Sequence, residues 1–281
     1  MKIFILLSTI DRRILRVPEV LSEPMDDVYY VVVWQHSHHG EIEDIDTGEL
    51  EQRKDVTIVT LPGKGLSRSR NHAMKTAMEM LEDPLEDAVF VIADDDERFN
   101  SEAFPRIFAF YREHPDVDLA LMRMRSTQNR RYFKKYPDKL MNYRHKPRYY
   151  YPASWEMTLC PRVYQAGIRF DTRFGLGAEK LSCGEEDIFL ADMMAKGLKV
   201  VIAPVDIGYT RPCTTGTLTN ETKVLRSRGA VYGYTRSLPG AFLRSLREAA
   251  SLALRMQTRF IPLFKKIWYG VKYVRNTHKT I

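Results

Sequence analysis

The sequence predicts an α/β protein whose mixed, mainly parallel sheet is flanked by helices. Four short apolar runs rich in β-branched residues, typical of buried strands, alternate with segments of helical or loop character. These runs are residues 3–7, 28–34, 56–61 and 88–93. Because a strand, a helix and a second parallel strand form the repeating unit of such sheets, the alternation indicates β-α-β units.

The elements follow in order from local patterns. The first run is too short for a signal peptide and has no cleavage site of small residues, so it is predicted to be the first strand. Residues 67–81 are predicted to form a helix with Ser67 as its N-cap, because Ala73, Ala77 and Met80 recur at helical spacing. Residues 170–177 are predicted to be extended, residues 188–198 helical, and residues 200–203 a further strand.

Composition narrows the class of protein. A chain of 281 residues with 44% hydrophobic and 28% charged residues is long enough for a large core, and this composition excludes general disorder. No uncharged run approaches the length of a membrane-spanning helix, so we expect no bilayer crossing. Cys160, Cys183 and Cys213 are widely spaced, which predicts neither a disulfide framework nor a zinc site and fits a reducing cytosol.

Three consecutive carboxylates, Asp94, Asp95 and Asp96, directly follow the apolar run 88–93. If that run is a buried strand, the acids emerge at its C-terminal edge, where open α/β sheets place their ligands. Three acids crowded together repel one another, so a binding site here requires a cation, most simply a divalent metal that carries a phosphorylated ligand. The alternative is an acidic turn whose side chains are solvated.

Two further groups of residues have the chemistry of binding sites. Ser67, Arg68 and Arg70 fall in the first turns of the predicted helix 67–81, behind a glycine-containing loop, and arginines at a helix N-terminus form an anion site. A polar stretch contains His36, His38 and His39. These histidines are predicted to lie in a solvent-exposed loop rather than to bind metal, because no further ligand is paired with them at a defined spacing.

A second acidic cluster, Glu185, Glu186 and Asp187, opens the predicted helix that contains residues 188–198. A carboxylate at a helix N-terminus is stabilised as the anion and can act simply as a cap. Three acids exceed what capping requires. If the first cluster holds a metal and a diphosphate, the second can supply a general base that takes a proton from an incoming hydroxyl.

The ordered motifs Gly65–Asn71, Val91–Asp96, Phe174–Gly177 and Gly184–Asp187 resemble those of family 2 glycosyltransferases with a GT-A fold. The resemblance covers about residues 1–235. It implies an inverting transferase that uses a nucleotide sugar, with UDP as the nucleotide expected from the family. A divalent metal, Mn²⁺ or Mg²⁺, is the implied cofactor.

The resemblance also implies roles for individual residues. Asp94 contacts the nucleotide, Asp96 binds the metal, and Asp187 or Glu186 is the base that acts on the acceptor hydroxyl. The remaining residues assigned to the nucleotide site are Thr9, Ser67, Arg70, Asp95 and Arg211. Many members of the family have a metal-binding His where this chain has the segment Gly208–Gly216. Either Arg211 replaces part of the metal's charge, or Asp96 and phosphate oxygens are the metal's only ligands.

The chain is predicted to divide into a GT-A domain, residues 1–238, and a basic amphipathic helical tail, residues 239–281. The tail has nine Lys or Arg residues and one acid, Glu248. Two helices that meet at Pro262, with Phe264 and Trp268 on the apolar side and Lys265 and Lys266 nearby, suit an anionic membrane surface. Alternatively, the apolar stripes dock on the catalytic domain or on a second subunit in a homo-oligomer.

Residues 123–148 contain ten Lys or Arg residues interleaved with tyrosines. Such a segment can bind nucleic acid, or it can receive the diphosphate of a lipid-linked acceptor. A nucleic-acid-binding module leaves both acid clusters unexplained, so no nucleic-acid partner is predicted.

We therefore predict a glycosyltransferase, peripheral on the cytoplasmic face of the cell membrane, that extends a growing, lipid-linked glycan in surface polysaccharide biosynthesis. One rival is a sugar-1-phosphate nucleotidyltransferase, whose Gly-rich N-terminal signature is absent after Leu7. The other is a catalytically silent nucleotide-sugar-binding protein at the membrane, which turnover of a nucleotide sugar would exclude.

Overall fold

A computed structural model describes residues 1–37, 45–83, 87–211 and 221–281. These residues form two compact units. The first comprises Met1–Lys64, Ser69–Arg169 and Asp192–Pro212, and the second comprises Gly65–Arg68, Phe170–Ala191 and Cys213–Ile281. The predicted boundary between residues 238 and 239 remains a prediction.

The first unit is built on one mixed, mainly parallel sheet. In the described part of the chain its strands are β1 (Lys2–Ile10), β2 (Val28–His36), β3 (Val56–Pro62), β4 (Ala88–Asp94), β5 (Arg98–Phe99), β6 (Leu119–Ser126), β7 (Met141–Asn142), β8 (Met157–Leu159) and β9 (Val200–Thr210). Their order is β3-β2-β1-β4-β8-β6-β9-β5, and β7 also pairs with β9. The fold class predicted from the sequence is therefore confirmed, and so are its first four strands.

The helices lie between these strands and after the last of them. They are α1 (Gly48–Glu51), α2 (Leu66–Glu79), α3 (Ala103–Glu113), α4 (Pro161–Gln165), α5 (Glu185–Ala195), α6 (Thr222–Thr235), α7 (Leu238–Met256) and α8 (Phe260–Asn276). Short 3₁₀ helices cover Asp11–Glu19, Tyr143–His145 and Ser154–Glu156. Within the residues that the structure describes, no helix has both the length and the apolarity needed to span a membrane.

Strands β2, β1 and β4 are adjacent in the sheet. They are almost entirely apolar and buried on both faces, which is the pattern expected of parallel strands covered on both sides. β4 runs parallel to β1, with Ser8 opposite Asp94. The carboxyl ends of β1 and β4 therefore meet at the same edge of the sheet, and the acids that follow β4 lie beside Thr9.

Part of the basic, aromatic segment 123–148 belongs to the interior of the first unit. Lys134 is buried and forms an ion pair of 2.7 Å with the fully buried Glu156. Tyr136 and Tyr150 donate hydrogen bonds to the same carboxylate, at 2.5 and 2.7 Å. Because these partners satisfy a buried charge, this portion of the segment has a structural role.

In the second unit, α6, α7 and α8 pack together. The contact between α6 and α8 is unusually close, because an added Cβ at Gly229 would lie 1.8 Å from the Ile267 carbonyl oxygen, and one at Gly270 would lie 1.8 Å from the Arg226 carbonyl oxygen. Phe264 and Trp268 of α8 stack on each other, and Phe242 of α7 packs edge-on against both. One side of α8 thus packs against α6, which lies within the predicted domain 1–238.

Three local predictions were wrong. The helix predicted over 67–81 begins at Leu66, so Ser67 lies within its first turn instead of capping it. Residues 170–177 form consecutive turns rather than an extended segment, with Gly175 and Gly177 in the left-handed region. The tail divides at Gln257, whose φ of 48° ends α7, whereas Pro262 lies in the first turn of α8, where its missing N–H group is tolerated.

Candidate active site

Asp94 ends β4 and forms an ion pair with Arg70 of α2. The Nη2 atom of Arg70 lies 3.2 Å from Asp94 Oδ1 and donates a second hydrogen bond, of 2.7 Å, to Ser154 Oγ. Arg70 is 1% exposed and Asp94 is 27% exposed. The buried arginine therefore holds the Asp94 carboxylate at the carboxyl edge of the sheet, where part of that carboxylate remains accessible to a ligand.

Asp95 points into the protein. Its carboxylate accepts a hydrogen bond of 2.7 Å from the Thr9 hydroxyl at the end of β1, and Arg13 forms an ion pair with it. Burial raises the pKa of Asp95, while Thr9 and Arg13 act in the opposite direction. Two residues assigned to the nucleotide site, Thr9 and Asp95, thus bind each other, and their contact with a nucleotide stays a prediction.

Asp96 and Glu97 extend the acid cluster. Burial and the charges of Asp94 and Asp95 raise the pKa of Asp96. Glu97 is buried, and burial together with the charge of Asp94 raises its pKa well above the usual range. Sequence reasoning missed Glu97, although its position directly after three acids was visible. Because four neighbouring carboxylates repel one another, a cation close to Asp96 would stabilise this edge of the sheet.

The acid cluster offers few free ligands to the predicted metal. In the part of the chain that the structure describes, no group of three His, Cys, Asp or Glu side chains is arranged to hold a metal ion. Asp94 and Asp95 each have an arginine partner, which leaves Asp96 as the one of the three aspartates without an ion pair among the described residues. Mg²⁺ is commonly bound by one or two carboxylates and by the phosphates of a substrate, and this donor set fits a cation held in that way.

Of the three histidines in the polar stretch, only His36 lies among the described residues. His36 ends β2, its ring packs edge-on against Trp34, and burial lowers its pKa. His38 and His39 lie outside the described residues, as do the positions after Arg211 in the segment Gly208–Gly216.

A cleft of about 400 Å³ opens beside Asp96 in the first unit. Asp95, Asp96 and Arg211 line it, so Arg211 shares a cavity with the predicted metal ligand. Three further arginines line the same cleft, and sequence reasoning did not select them. They are Arg16, Arg98 and Arg130. They are scattered along the chain and no short motif joins them, so only the fold reveals that they converge.

In the second unit, a glycine turn brings Ser67 to the segment Phe174–Gly177. Ser67 donates a hydrogen bond of 2.7 Å to the Phe174 carbonyl, and the Leu66 N–H donates one of 2.8 Å to the Leu176 carbonyl. Gly175 has a φ of +99°, and a Cβ atom there would lie 3.1 Å from Ser67 Oγ and 3.3 Å from Glu185 Oε1. Two of the sequence motifs therefore meet at this glycine, and the Ser67 hydroxyl has a structural partner.

The second acidic cluster lies in the first turn of α5. Glu185 is buried, whereas Glu186 and Asp187 are half-buried. The N-terminal end of a helix stabilises negative charge, so carboxylates are favoured at this position. The three acids differ in exposure. Glu185 is part of the interior, whereas Glu186 and Asp187 are partly accessible and could take part in proton transfer.

The predicted site residues thus fall into two groups. The first unit contains Thr9, Arg70, Asp94, Asp95, Asp96 and Arg211. The second contains Ser67, Glu186 and Asp187. Within the first unit the structure pairs Thr9 with Asp95 and Arg70 with Asp94, and within the second it connects Ser67 to the glycine turn.

No protein-family model matches this chain, and no curated protein sequence matches it. Solved structures of S. aureus TarS do match. TarS 1–349 in complex with UDP has a TM-score of 0.60 and 14% sequence identity, over 98% of this chain and 83% of that one. The complex with UDP-GlcNAc has a TM-score of 0.58 and 15% identity, over 98% and 84%. A longer TarS structure has a TM-score of 0.58 and 14% identity; the match covers 90% of this chain and only 44% of that one. The chain therefore shares the fold of these structures.

Proposed function

We propose that the protein is an inverting glycosyltransferase that moves a sugar from a nucleotide sugar, with UDP as the nucleotide, to a hydroxyl of a growing glycan. The observation that carries the proposal is the acid cluster at the carboxyl end of β4, with a buried arginine fixing Asp94 and a cleft beside Asp96. The structural match to TarS, whose structures include complexes with UDP and UDP-GlcNAc, supports the same choice of ligand.

On the donor side, Asp94 contacts the nucleotide, and Arg70 positions it by means of the 3.2 Å ion pair. Thr9 and Asp95 support this edge, and Ser67 holds the start of α2. Asp96 would bind a divalent cation, Mn²⁺ or Mg²⁺, which supplies positive charge against the leaving diphosphate. Arg211 adds a guanidinium to the same cleft, and a guanidinium stabilises charge that develops on phosphate oxygens.

On the acceptor side, Asp187 or Glu186 takes the proton of the attacking hydroxyl, with Asp187 preferred because the resembled motif places its base in this pair. Both side chains are partly accessible, whereas Glu185 is buried. A carboxylate acts as a general base when it is placed within hydrogen-bond reach of the hydroxyl. The single displacement inverts the anomeric centre.

We assign the acceptor to a lipid-linked glycan and the protein to the cytoplasmic face of the membrane, because of the surface of α7 and α8. Leu243, Leu254 and Ile261 are 65%, 81% and 62% exposed. The tail has nine basic residues and the single acid Glu248, which already pairs with Arg228 and Arg244. Exposed apolar side chains among lysines and arginines suit an anionic bilayer surface.

The proposed function is tested by a panel of nucleotide sugars in a thermal-shift assay, with and without Mn²⁺. A ligand that binds only the folded protein raises its melting temperature, so the true donor should give the largest rise, and Mn²⁺ should increase it. Release of the nucleoside diphosphate then separates an enzyme from a silent binding protein. A panel in which no UDP-sugar changes the melting temperature would contradict the proposal.

A further inference from the structure

The cleft beside Asp96 contains more positive charge than a donor diphosphate requires. Four arginines line it, and each comes from a different part of the first unit: Arg16 from the 3₁₀ helix Asp11–Glu19, Arg98 from β5, Arg130 from the turn after β6, and Arg211 from the end of β9. Like charges brought together from four places repel one another. Such an arrangement is favourable when anions occupy the cleft.

An acidic side chain already neutralises part of the positive charge of the cleft. Glu19 lies 3.4 Å from Arg98, and Asp95 is paired with Arg13. Arg16, Arg130 and Arg211 have no ion pair among the described residues, and the remaining carboxylate of the cleft is Asp96. Three guanidinium groups therefore face one carboxylate.

Charge balance shows which arginines are left over. The diphosphate of a nucleotide sugar has two negative charges, and a divalent cation at Asp96 has two positive ones. Together with the Asp96 carboxylate these give a single negative charge, which Arg211 neutralises. Arg16 and Arg130 remain without an anion. This step depends on the proposed function, because it places the diphosphate and the cation beside Asp96.

The backbone that presents Arg130 is specifically shaped. Arg130 has a φ of 57°, a left-handed conformation that is uncommon for a residue other than glycine. Three backbone hydrogen bonds hold the turn. The Arg130 N–H donates to the Ser126 carbonyl at 2.9 Å, and the Ser126 N–H donates to the Arg131 carbonyl at 2.8 Å. The Thr127 N–H donates to the Thr210 carbonyl at 2.9 Å. Disfavoured backbone conformations held by surrounding contacts occur preferentially at functional sites.

We infer that Arg16 and Arg130 form a subsite for a second anionic group, a phosphate or a carboxylate, in addition to the donor diphosphate. The cleft, at about 400 Å³, is in the size range of small-molecule sites, roughly 300–1,000 Å³, and can hold more than one phosphate group. The group belongs either to the acceptor, as a phosphate in its chain or its lipid link, or to the donor sugar, as a carboxylate. Both are oxyanions that a guanidinium binds through charge-assisted hydrogen bonds.

Calorimetry can test the subsite and identify the source of the anion. Inorganic phosphate is titrated into the full-length protein saturated with UDP and Mg²⁺, which tests an acceptor phosphate. UDP-glucuronate and UDP-glucose are titrated separately, which tests a carboxylate on the donor sugar. The variants are Arg16→Gln and Arg130→Asn, since Asn tolerates the left-handed backbone at that turn. Arg12→Gln, on the same 3₁₀ helix, and Arg131→Gln, in the same turn, are matched controls.

We expect either phosphate binding to the UDP-saturated protein or tighter binding of UDP-glucuronate than of UDP-glucose. Arg16→Gln and Arg130→Asn should weaken that interaction roughly ten- to hundredfold, the range for a lost hydrogen bond to a charged group, and leave the affinity for UDP unchanged. The controls should bind like the native protein.

Two results would overturn the inference. One is the absence of both interactions, or their survival in both variants. The other is a loss of UDP affinity in Arg130→Asn, which would make the cleft part of the donor diphosphate site. If the protein does not bind UDP at all, the proposed function is wrong. Even then, phosphate binding to the native protein without UDP would support an anion site, provided that Arg130→Asn abolishes that binding.

Discussion

Replacing Gly270 with Ala should destabilise the protein, because α6 and α8 touch through their backbones at this glycine. A Cβ atom added at Gly270 would lie 1.8 Å from the Arg226 carbonyl oxygen, 2.7 Å from the Ala230 nitrogen and 2.8 Å from the Arg226 carbonyl carbon. All three are backbone atoms. The clash is therefore relieved only if the two helices separate, since no side chain can rotate away.

The expected magnitude follows from two opposing effects. Separating the helices by more than an ångström loosens the packing of the buried Leu263, Ile267 and Val271 along α8. Overpacking of this kind costs about 1–3 kcal/mol, and a clash with rigid backbone belongs at the upper end or beyond it. Ala favours a helix over Gly by about 1 kcal/mol. We expect a net loss of roughly 2 kcal/mol in the free energy of unfolding.

Denaturant unfolding followed by tryptophan fluorescence measures this loss, since Trp268 lies on α8 itself. Gly240→Ala is the matched control, because this glycine is also in a tail helix, and a Cβ there would meet only side-chain atoms, the nearest at 3.2 Å. The control should be neutral or slightly stabilising. If Gly270→Ala behaves like Gly240→Ala, α8 does not pack against α6 at backbone contact, and the tail has a different arrangement.

Three further predictions concern the site and the tail. Asp96→Asn should raise the melting temperature of the ligand-free protein at pH 7, because the pKa of Asp96 is raised in the folded protein and its ionisation at that pH costs stability. The difference in melting temperature between variant and native protein should shrink as the pH falls through the raised pKa of Asp96 toward about 4, the pKa of an unperturbed Asp. Asp187→Asn should lower turnover by about 10²- to 10⁴-fold with little change in UDP affinity, as measured by steady-state kinetics and calorimetry; a parallel loss of donor binding would instead place Asp187 in the donor site. The protein should sediment with anionic vesicles at low salt and be released at high salt. Replacing both Leu254 and Ile261 with Ser should weaken sedimentation, whereas the control Leu140→Ser should not. Equal sedimentation of the native protein and both variants would contradict membrane contact through α7 and α8.

The central strands and the first acid cluster could be predicted because their information is local. The run 88–93 is apolar at every position, and the acids follow it without interruption. Strand β6 was not identified, since Arg123 and Arg125 interrupt the buried apolar pattern of its second half, where Met124 lies between them. Short strands such as β8 depend on pairing with distant partners and leave little trace in two or three residues.

Other features depend on contacts between distant residues. Ser67 resembles an N-cap, yet its hydroxyl bonds to Phe174, which is remote in sequence. Lys134 lies in a basic segment that suggests an exposed surface, and a buried carboxylate 22 residues away draws it into the interior. The arginine cleft is of the same kind: its members are recognisable as a group only after the sheet has brought them together.

The most direct test of the account is the affinity of the protein for UDP in the presence of Mn²⁺, measured by calorimetry in the native protein, in Asp96→Asn and in Asp26→Asn. Asp26 is an exposed acid remote in sequence from the cluster, so its variant controls for the loss of one negative charge. The account predicts that the native protein and Asp26→Asn bind UDP alike and that Asp96→Asn loses the dependence on Mn²⁺. Equal, Mn²⁺-dependent binding by all three proteins would contradict a donor site at the end of β4.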